Sequence, residues 1–368
     1  LRTKDRRSPI GQALPLAEKV IASLRQACPD IGPLFPAGSL RRWEETIGDI
    51  DLVGTSVHPE QAADALASLD SVREVLVQGA KKTSVVVEPG VQVDLRLGEP
   101  ESFGALLQYF TGSQQHNIRL RDYANRMRLS LNEYGITDLG TGVVERFPDE
   151  AAFYRRLGLP YIPPELRLGM WELEAAREGR LPALVEESDL RGDLHLHSDW
   201  SDGRDPIDAM IAAAAAQGYQ YMALTDHSSG RGVANSLSRE RLLEQTEILR
   251  SLQGKYPITV LCGSEADIRA DGTLDYPDEL LEQLDVVVAS VHSAMGQDSR
   301  TMTQRIVKAM RHPAVTIIGH LSTRLLGRRE PVDLDLETLL QEAQATGTAL
   351  EINASPKRLD LKDTHAYR

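Results

Sequence analysis

From Gly192 onward the chain alternates strand-like and helix-like stretches, and this rhythm limits its fold more than any other feature. The strand-like runs are Asp193–His197, Tyr221–Thr225, Ile258–Leu261, Asp285–Val291, Val315–Gly319 and Thr348–Ile352. The helix-like stretches are Pro206–Gln217, Ser238–Leu252, Asp278–Gln283, Thr301–Arg311 and Leu334–Ala345. Apolar runs that alternate with helical spacing predict parallel strands covered by helices, in a barrel or a doubly wound sheet.

Five consecutive predicted strands end in a side chain that binds metals. The first strand carries two imidazoles two residues apart, which places both on one side of the strand. In a barrel the carboxyl ends of the strands form the active face. Imidazole suits Zn, Mn and Fe, and added carboxylates favour a multinuclear hydrolytic site. The candidate ligands are His195, His197, Asp202, His227, Glu265, His292 and His320.

A simpler interpretation of these residues has to be weighed. A single strand-end histidine is more often a hydrogen-bonded polar residue than a ligand, and Asp202 before Gly203 is typical of a turn. However, five of the nine histidines fall at the predicted strand ends. We therefore favour the metal site.

Charge and composition limit the function further. The net charge is −13, and residues 131–368 carry all of it, because residues 1–130 hold 16 basic and 16 acidic side chains. The two cysteines, Cys28 and Cys262, exclude a disulfide framework and favour a reducing cytoplasmic location. No apolar run reaches the ~18–20 residues of a membrane span, and no secretory signal is visible, so we expect no membrane partner.

The first region carries a second set of carboxylates. Asp49 and Asp51 alternate on one predicted strand, and Asp94 lies on a neighbouring one. Carboxylates this close favour a cation between them, and hard oxygen ligands suit Mg²⁺. Gly38, Ser39 and Arg42 belong to a Gly-Ser-Leu-Arg-Arg segment that offers N–H groups, a hydroxyl and charge to phosphate oxygens. Asp-x-Asp alone more often marks a solvated strand or turn.

An aromatic and basic segment follows. Tyr109 and Phe110 precede Gly112, and an aromatic pair in this position can wall a nucleotide sugar or stack on a base. Asn117 and Arg121 are four residues apart, hence on one helix face, where they can meet DNA edges or phosphates. Without the upstream carboxylates, a core aromatic pair and a solvated arginine face would be the default interpretation.

The chain is expected to divide into three parts. Residues 1–134 alternate short strands with helices and predict an α+β unit. Residues 135–190 contain several prolines and predict a linker with short helices. Residues 191–368 hold the strand–helix rhythm.

The strand-end series of the third part resembles the PHP (polymerase and histidinol phosphatase) domain from about Leu190 to the end. This resemblance implies a distorted (β/α)7-type barrel with a phosphoesterase centre of two to three ions, Mn²⁺ and/or Zn²⁺, held by the seven residues named above. The family supplies two more ligands from a later Asp-x-His. Asp363-Thr-His365 imitates that motif too soon after the sixth strand, so we expect a local element there and a barrel incomplete at its C-terminus.

The first part, from about residue 10 to 135, resembles the palm and thumb of the family X DNA polymerases. The resemblance implies that Asp49, Asp51 and Asp94 are catalytic and bind Mg²⁺ or Mn²⁺. It assigns triphosphate and nucleotide binding to Gly38, Ser39, Arg42, Tyr109, Phe110, Gly112, Asn117 and Arg121. A palm beside a PHP domain resembles the bacterial and archaeal family X polymerases, whose PHP domain acts as a 3′–5′ exonuclease and DNA-end phosphoesterase. Their N-terminal helix-hairpin-helix region and fingers are not found here.

The expected fold class is therefore α/β plus α+β, a nucleotidyltransferase palm and thumb followed by the partial barrel. The expected function is DNA repair by a monomeric enzyme that polymerises on gapped or primer-template DNA from dNTP and also removes DNA ends. Two alternatives stay open. One is a small-molecule phosphatase similar to histidinol phosphatase, and the other is a non-catalytic DNA-binding scaffold with structural metals.

Overall fold

The computed structural model describes residues 7–228 and 235–368, and the chain divides into two compact units, Leu1–Ala183 and Leu184–Arg368. Among the described residues, no helix combines the length and apolar character needed to cross a bilayer.

The first unit contains ten strands and seven α-helices within its described residues. The strands are β1 Ser8–Pro9, β2 Ile31–Pro36, β3 Thr46–Ile47, β4 Ile50–Ser56, β5 Val72–Val77, β6 Lys82–Val87, β7 Val91–Gly98, β8 Leu129–Asn132, β9 Gly135–Asp138 and β10 Val144–Glu145. The helices are α1 Ile10–Ala27, α2 Gly38–Arg41, α3 Pro59–Ala67, α4 Phe103–Thr111, α5 Gln114–Arg126, α6 Glu150–Arg156 and α7 Glu172–Arg177.

The N-terminal part of this unit contains a five-stranded sheet with the strand order β2-β4-β7-β6-β5. Strands β4 and β7 are parallel, and the other pairs are antiparallel. Val53, Val85 and Val93 are fully buried, as expected of β-branched residues in central strands. Helix α1 buries residues spaced three or four apart, including Ala17, Val20 and Leu24, and so covers an apolar face.

The C-terminal part of the first unit has a separate hydrophobic core. Helices α5, α6 and α7 and strands β8 and β9 all contribute buried side chains to it, among them Leu120, Ile136, Phe153 and Leu157. Residues 135–183 do form short helices, and several of their apolar side chains, such as Phe153, Leu157 and Leu173, are buried in this core. The three-part division of the chain stays a prediction.

The second unit repeats strand and helix in strict alternation over most of its length. The strands are β11 Gly192–Leu196, β12 Tyr221–Leu224, β13 Thr259–Asp267, β14 Val286–Ser290, β15 Ile317–Ile318 and β16 Ala349–Leu350. The helices are α8 Ile207–Ala216, α9 Arg239–Ser251, α10 Asp278–Leu281, α11 Ser299–Met310, α12 Leu336–Thr346 and α13 Asp363–Ala366.

The six strands form one parallel sheet in chain order, β11 to β16. Buried valines and isoleucines such as Val287, Val288 and Ile318 fill it, because a parallel sheet is covered on both faces. The sheet curls into a half-barrel, and the predicted fold class is confirmed. The third strand is longer than predicted, since residues 263–267 also pair with β14.

Candidate functional site

The carboxyl edge of the parallel sheet gathers the predicted ligands of the second unit. His195 lies in β11 and His197 follows it, whereas His227 and His292 come shortly after β12 and β14. Glu265 lies inside β13, two residues before its end. Because neighbouring strands are parallel, their carboxyl ends meet at one edge, which brings the side chains together.

Glu265 lies at the centre of this cluster and is almost fully buried. Its carboxylate lies within 3.4 Å of an imidazole nitrogen from each of five histidines. The Oε2 distances are 3.3 Å to Nε2 of His195, 3.4 Å to Nε2 of His197 and 3.0 Å to Nδ1 of His227. The Oε1 distances are 3.2 Å to Nε2 of His292 and 2.9 Å to Nε2 of His320. One carboxylate is therefore shared by all five rings.

Asp202 closes one side of the cluster. Its Oδ1 lies 2.8 Å from Nδ1 of His197, and its Oδ2 lies 3.6 Å from Nε2 of His227. Three sets of residues in the described chain place one donor atom each within 4.8 Å of the others. The sets are His195, His197 and Glu265; His197, Asp202 and His227; and His227, Glu265 and His292.

The electrostatics of the cluster favour positive charge. Burial lowers the pKa of His195, but hydrogen bonds to Glu265 and Glu351 outweigh burial and raise it to about 10. The same competition, with Asp202 and Glu265 as partners, raises the pKa of His227 to about 9. Burial tends to raise the pKa of Glu265, yet the imidazoles hold it well below its usual range. The carboxylates thus draw cations to this edge.

These residues fit divalent metals. Nitrogen and oxygen ligands about 2.0–2.2 Å from a tetrahedral ion lie about 3.3 Å apart, which is close to the spacing around Glu265. The buried Nδ1 of His320 has no hydrogen-bond partner among the described residues. Burial lowers the pKa of His320, and the charge of Arg358 contributes to that lowering. A neutral ring is the form that binds a metal.

Two supporting carboxylates were not predicted from the sequence. Glu351 directly follows β16, and its Oε1 lies 2.6 Å from Nδ1 of His195, while its Oε2 accepts a 2.5 Å hydrogen bond from the backbone N–H of His320. Asp267 Oδ1 lies 3.3 Å from Nδ1 of His292. Carboxylates of this kind orient metal-binding histidines. Searching the carboxyl end of the sixth strand for a metal-binding side chain, as was done for the first five strands, would have found Glu351.

Asp226, next to His227, organises the loop that carries Asp202. It is fully buried and accepts hydrogen bonds from the hydroxyl groups of Ser198 and Ser201 and from Nε2 of Gln245. The backbone N–H of Ser198 donates a further bond of 2.8 Å. A buried carboxylate is costly without such partners, so these four donors compensate for its removal from water and fix the loop against it.

The Asp-x-His pair near the C-terminus is not part of these sets. Asp363 and His365 belong to the short helix α13, and neither is a member of the three ligand groups in the described chain.

The carboxylates of the first unit also meet at a sheet. Asp51 in β4 and Asp94 in β7 are direct partners in the parallel register, and Asp49 immediately precedes β4. Asp94 is held by Nε2 of Gln92 at 2.8 Å and by Nζ of Lys82 at 3.2 Å. These two neighbours were not predicted from the sequence.

The surroundings of Asp51 disfavour its negative charge. Burial raises its pKa to about 7, with Asp49 and Asp94 adding repulsion, although Arg96 and Arg42 oppose the increase. Gly38 has φ +55°, and a Cβ there would lie 2.2 Å from Oδ2 of Asp51. The start of α2, which also contains Ser39, therefore passes directly against this carboxylate.

The predicted nucleotide-binding residues cluster around the end of α4. Nη1 of Arg42 donates a 2.6 Å hydrogen bond to the carbonyl of Thr111, next to Gly112. Tyr109 and Phe110 form an edge-to-face pair with ring centroids 5.2 Å apart. The guanidinium of Arg96 lies 4.6 Å from the centre of the Phe110 ring.

Asn117 and Arg121 differ in their freedom to meet a ligand. The Asn117 amide accepts a 2.8 Å bond from Gln108 and donates a 2.8 Å bond to the carbonyl of Tyr109. Arg121 is exposed, and its Nε donates to the carbonyl of Asn117. Asn117 therefore fixes α5 against α4, whereas the end of the Arg121 side chain faces solvent.

Comparison with known proteins agrees with this geometry. Residues 106–168 match the DNA polymerase beta thumb family, and residues 193–355 match the PHP domain family. The chain is 41% identical over 365 residues to the DNA polymerase/3'-5' exonuclease PolX of Bacillus subtilis, which covers 98% of this chain and 64% of that protein. It is 33% identical over 167 residues to a probable phosphatase of Syntrophotalea carbinolica, which covers 44% of this chain and 65% of that protein.

A polymerase-beta type thumb followed by a PHP domain with its strand-end cluster defines one class, the family X polymerases with a PHP domain. The chain carries both family matches in that order and resembles PolX along nearly its whole length. The family resemblance inferred from the sequence is confirmed. The chain spans 64% of the length of that relative.

Proposed function

We propose that this protein is a DNA-repair enzyme with two separate metal-dependent sites, one that adds nucleotides and one that removes them. The observation that carries the proposal is the shared carboxylate of Glu265, within 3.4 Å of five histidines at the carboxyl edge of one sheet. The relative named a DNA polymerase/3'-5' exonuclease supports both activities.

In the second unit, the seven predicted ligands would hold two to three Mn²⁺ or Zn²⁺ ions. When bound, such ions supply Lewis-acid activation of water and of a phosphoester. Glu265 bridges the ligand sets, Asp202 links the rings of His197 and His227, and Glu351 fixes the ring of His195. The substrate class is a DNA 3′ end, from which nucleotides are hydrolysed.

In the first unit, Asp49, Asp51 and Asp94 would hold Mg²⁺ or Mn²⁺. These ions supply the charge that steadies in-line transfer of a nucleotidyl group. Gly38 lets the chain approach the carboxylates closely, Lys82 and Gln92 orient Asp94, and Arg42 provides charge for the triphosphate of a dNTP. Tyr109, Phe110 and Arg121 would line the path of the nucleotide and of primer-template or gapped DNA.

Two substitutions test this division of labour. Asp94→Ala should abolish dNTP addition to a labelled primer-template and leave 3′ end removal intact. His197→Ala should do the converse, because it removes a member of two of the three ligand sets. If both substitutions reduced both activities equally in folded protein, the two-site proposal would be wrong.

A phosphatase acting on small molecules is a second candidate for the second unit, because the relative from Syntrophotalea carbinolica is named a probable phosphatase. Hydrolysis of p-nitrophenyl phosphate without any cleavage of DNA would favour this candidate. Cleavage of labelled DNA by the wild type, lost in His197→Ala, would favour the exonuclease.

A further inference from the structure

Two loops next to the metal-binding edge form a basic surface in an acidic unit. Residues 184–368 hold 29 acidic and 19 basic side chains. Residues 321–329 and 352–359, here called the basic loop pair, hold five basic side chains and no acidic one. They are Arg324, Arg328, Arg329, Lys357 and Arg358. The loop pair is thus positively charged, whereas the neighbouring ligand cluster is rich in carboxylates.

Hydrogen bonds hold the two loops together and join them to the cluster. The first bond of this series is donated by the backbone N–H of His320 to the carboxylate of Glu351. Ser322 N–H then donates to the Asp360 carboxylate at 3.0 Å, and Leu326 N–H donates to the carbonyl of Lys357 at 2.8 Å. The loops are therefore a fixed surface that begins at a predicted metal ligand.

Four of the basic side chains are free of carboxylate partners among the described residues, which suits them to binding anions. Arg328 and Lys357 are exposed. Burial lowers the pKa of Arg329, and the positive charge of the nearby Arg358 lowers it further. Among the described residues, no carboxylate lies within the 4.0 Å of an ion pair from Arg328, Arg329, Lys357 or Arg358. Cations held side by side without a carboxylate are stabilised when an anion enters between them.

We propose that the basic loop pair binds the phosphate backbone of the DNA strand whose 3′ end enters the metal centre. This inference rests on the proposed exonuclease and specifies how its substrate is held. A repeating phosphate chain fits because the two hydrogen-bonded loops carry several cations on one surface that begins at His320, so that more than one phosphate would meet a cation. The neighbouring acidic surface would repel the strand elsewhere, and the loops would thus set its direction.

The first test removes two exposed charges. In the full chain, Arg328→Ser combined with Lys357→Ser should raise the KM for 3′ end removal from single-stranded DNA. Each phosphate contact to a single strand contributes about 0.7 to the slope of log affinity against log salt, so the slope should fall by about 1.4. Turnover of bis-p-nitrophenyl phosphate, which has no strand to bind, measures the metal centre separately.

The matched control is Lys255→Ser. Lys255 is exposed and lies between α9 and β13, at the opposite edge of the same sheet. It should leave the KM and the salt slope for DNA unchanged. An equal effect of the control and the double variant, or no effect of the double variant, would overturn the proposal.

A second test works even without DNA cleavage. Cys28 and Cys262 are buried, so a photo-crosslinker attached to Lys357→Cys would label one site. Crosslinking to a nuclease-resistant phosphorothioate oligonucleotide should be strong from position 357 and weak from Lys255→Cys. If the protein cleaves only small phosphoesters and still crosslinks at position 357, the exonuclease fails and the DNA surface stands. If it cleaves DNA but crosslinks equally from both positions, the surface fails and the exonuclease stands.

Discussion

The Nδ1 atom of His195 lies 2.6 Å from Oε1 of Glu351, although these residues belong to the first and the last strand regions of a six-stranded sheet. In a flat sheet, strands five positions apart would be about 24 Å from one another. The contact therefore shows how strongly the sheet curls. The curl is also what turns a row of strand-end side chains into a cluster around Glu265.

Glu351→Gln tests the importance of this contact. The change keeps the size of the side chain but removes the charge that faces His195 and the N–H of His320. Loss of a carboxylate that orients a metal-binding histidine costs about 10–100-fold in metal affinity. Titration with Mn²⁺ and the absorption spectrum of bound Co²⁺ measure the change. Glu282→Gln, at an exposed position, is the control, and equal affinity in both variants would contradict the role of Glu351.

Asp226→Asn should affect the second site through the loop of Asp202. The carboxylate of Asp226 accepts four hydrogen bonds. In the Asp226→Asn variant one of the two oxygens is replaced by an NH2 group, which cannot accept them. The expected loss of unfolding free energy is about 1–3 kcal/mol. Removal of 3′ ends should fall much more than dNTP addition, which the first unit would perform. A variant with normal DNA cleavage and normal stability would refute this expectation.

Gly38→Ala should abolish dNTP addition. Its Cβ would lie 2.2 Å from Oδ2 of Asp51, so either the start of α2 or the carboxylate must move. Gly179→Ala is a matched control, because Gly179 has φ +68° and a Cβ there would meet no atom within 4 Å. Both variants share a backbone cost of about 1–2 kcal/mol. Primer extension should distinguish them, and equal activity would exclude a tight approach at Asp51.

Glu150→Gln should destabilise the first unit in a pH-dependent way. Glu150 lies 2.7 Å from the fully buried Arg167 and 2.6 Å from Arg41. Burial tends to raise the pKa of Glu150, but the two arginines outweigh it and lower the pKa. Its charge therefore stabilises the fold above the unfolded pKa of about 4.3, and this contribution is lost as the pH falls through the folded pKa.

Urea denaturation measures the difference between Glu150→Gln and the wild type. It should be about 3–5 kcal/mol near neutral pH, because the buried Arg167 loses its carboxylate, and it should shrink in acid. The exposed Glu74→Gln should change the unfolding free energy by less than about 0.5 kcal/mol. A difference that stayed constant down to about pH 3 would exclude the lowered pKa.

The strand–helix rhythm was sufficient to predict the six parallel strands of the second unit and the clustering of their terminal side chains. Both depend on local periodicity and on the rule that parallel strands end at one edge. The true length of β13 was missed, because pairing of residues 263–267 with β14 is a tertiary interaction. For the same reason Glu265 lies inside its strand rather than at its end.

Contacts distant in the sequence explain the remaining differences. Asp226, Asp267 and Lys82 were missed because only the folded chain shows which donors surround a carboxylate. The hydrogen bonds of the Asn117 amide to α4 were also not predicted. The assignment of the site residues, Asn117 included, to metal and nucleotide binding stays a prediction.

Anomalous diffraction from crystals soaked in Mn²⁺ tests the central claim most directly. We expect two or three peaks enclosed by His195, His197, Asp202, His227, Glu265, His292 and His320, and a separate peak beside Asp51 and Asp94. Peaks at other surfaces, or no peak around Glu265 in protein whose histidines keep their contacts with it, would contradict the metal-dependent account.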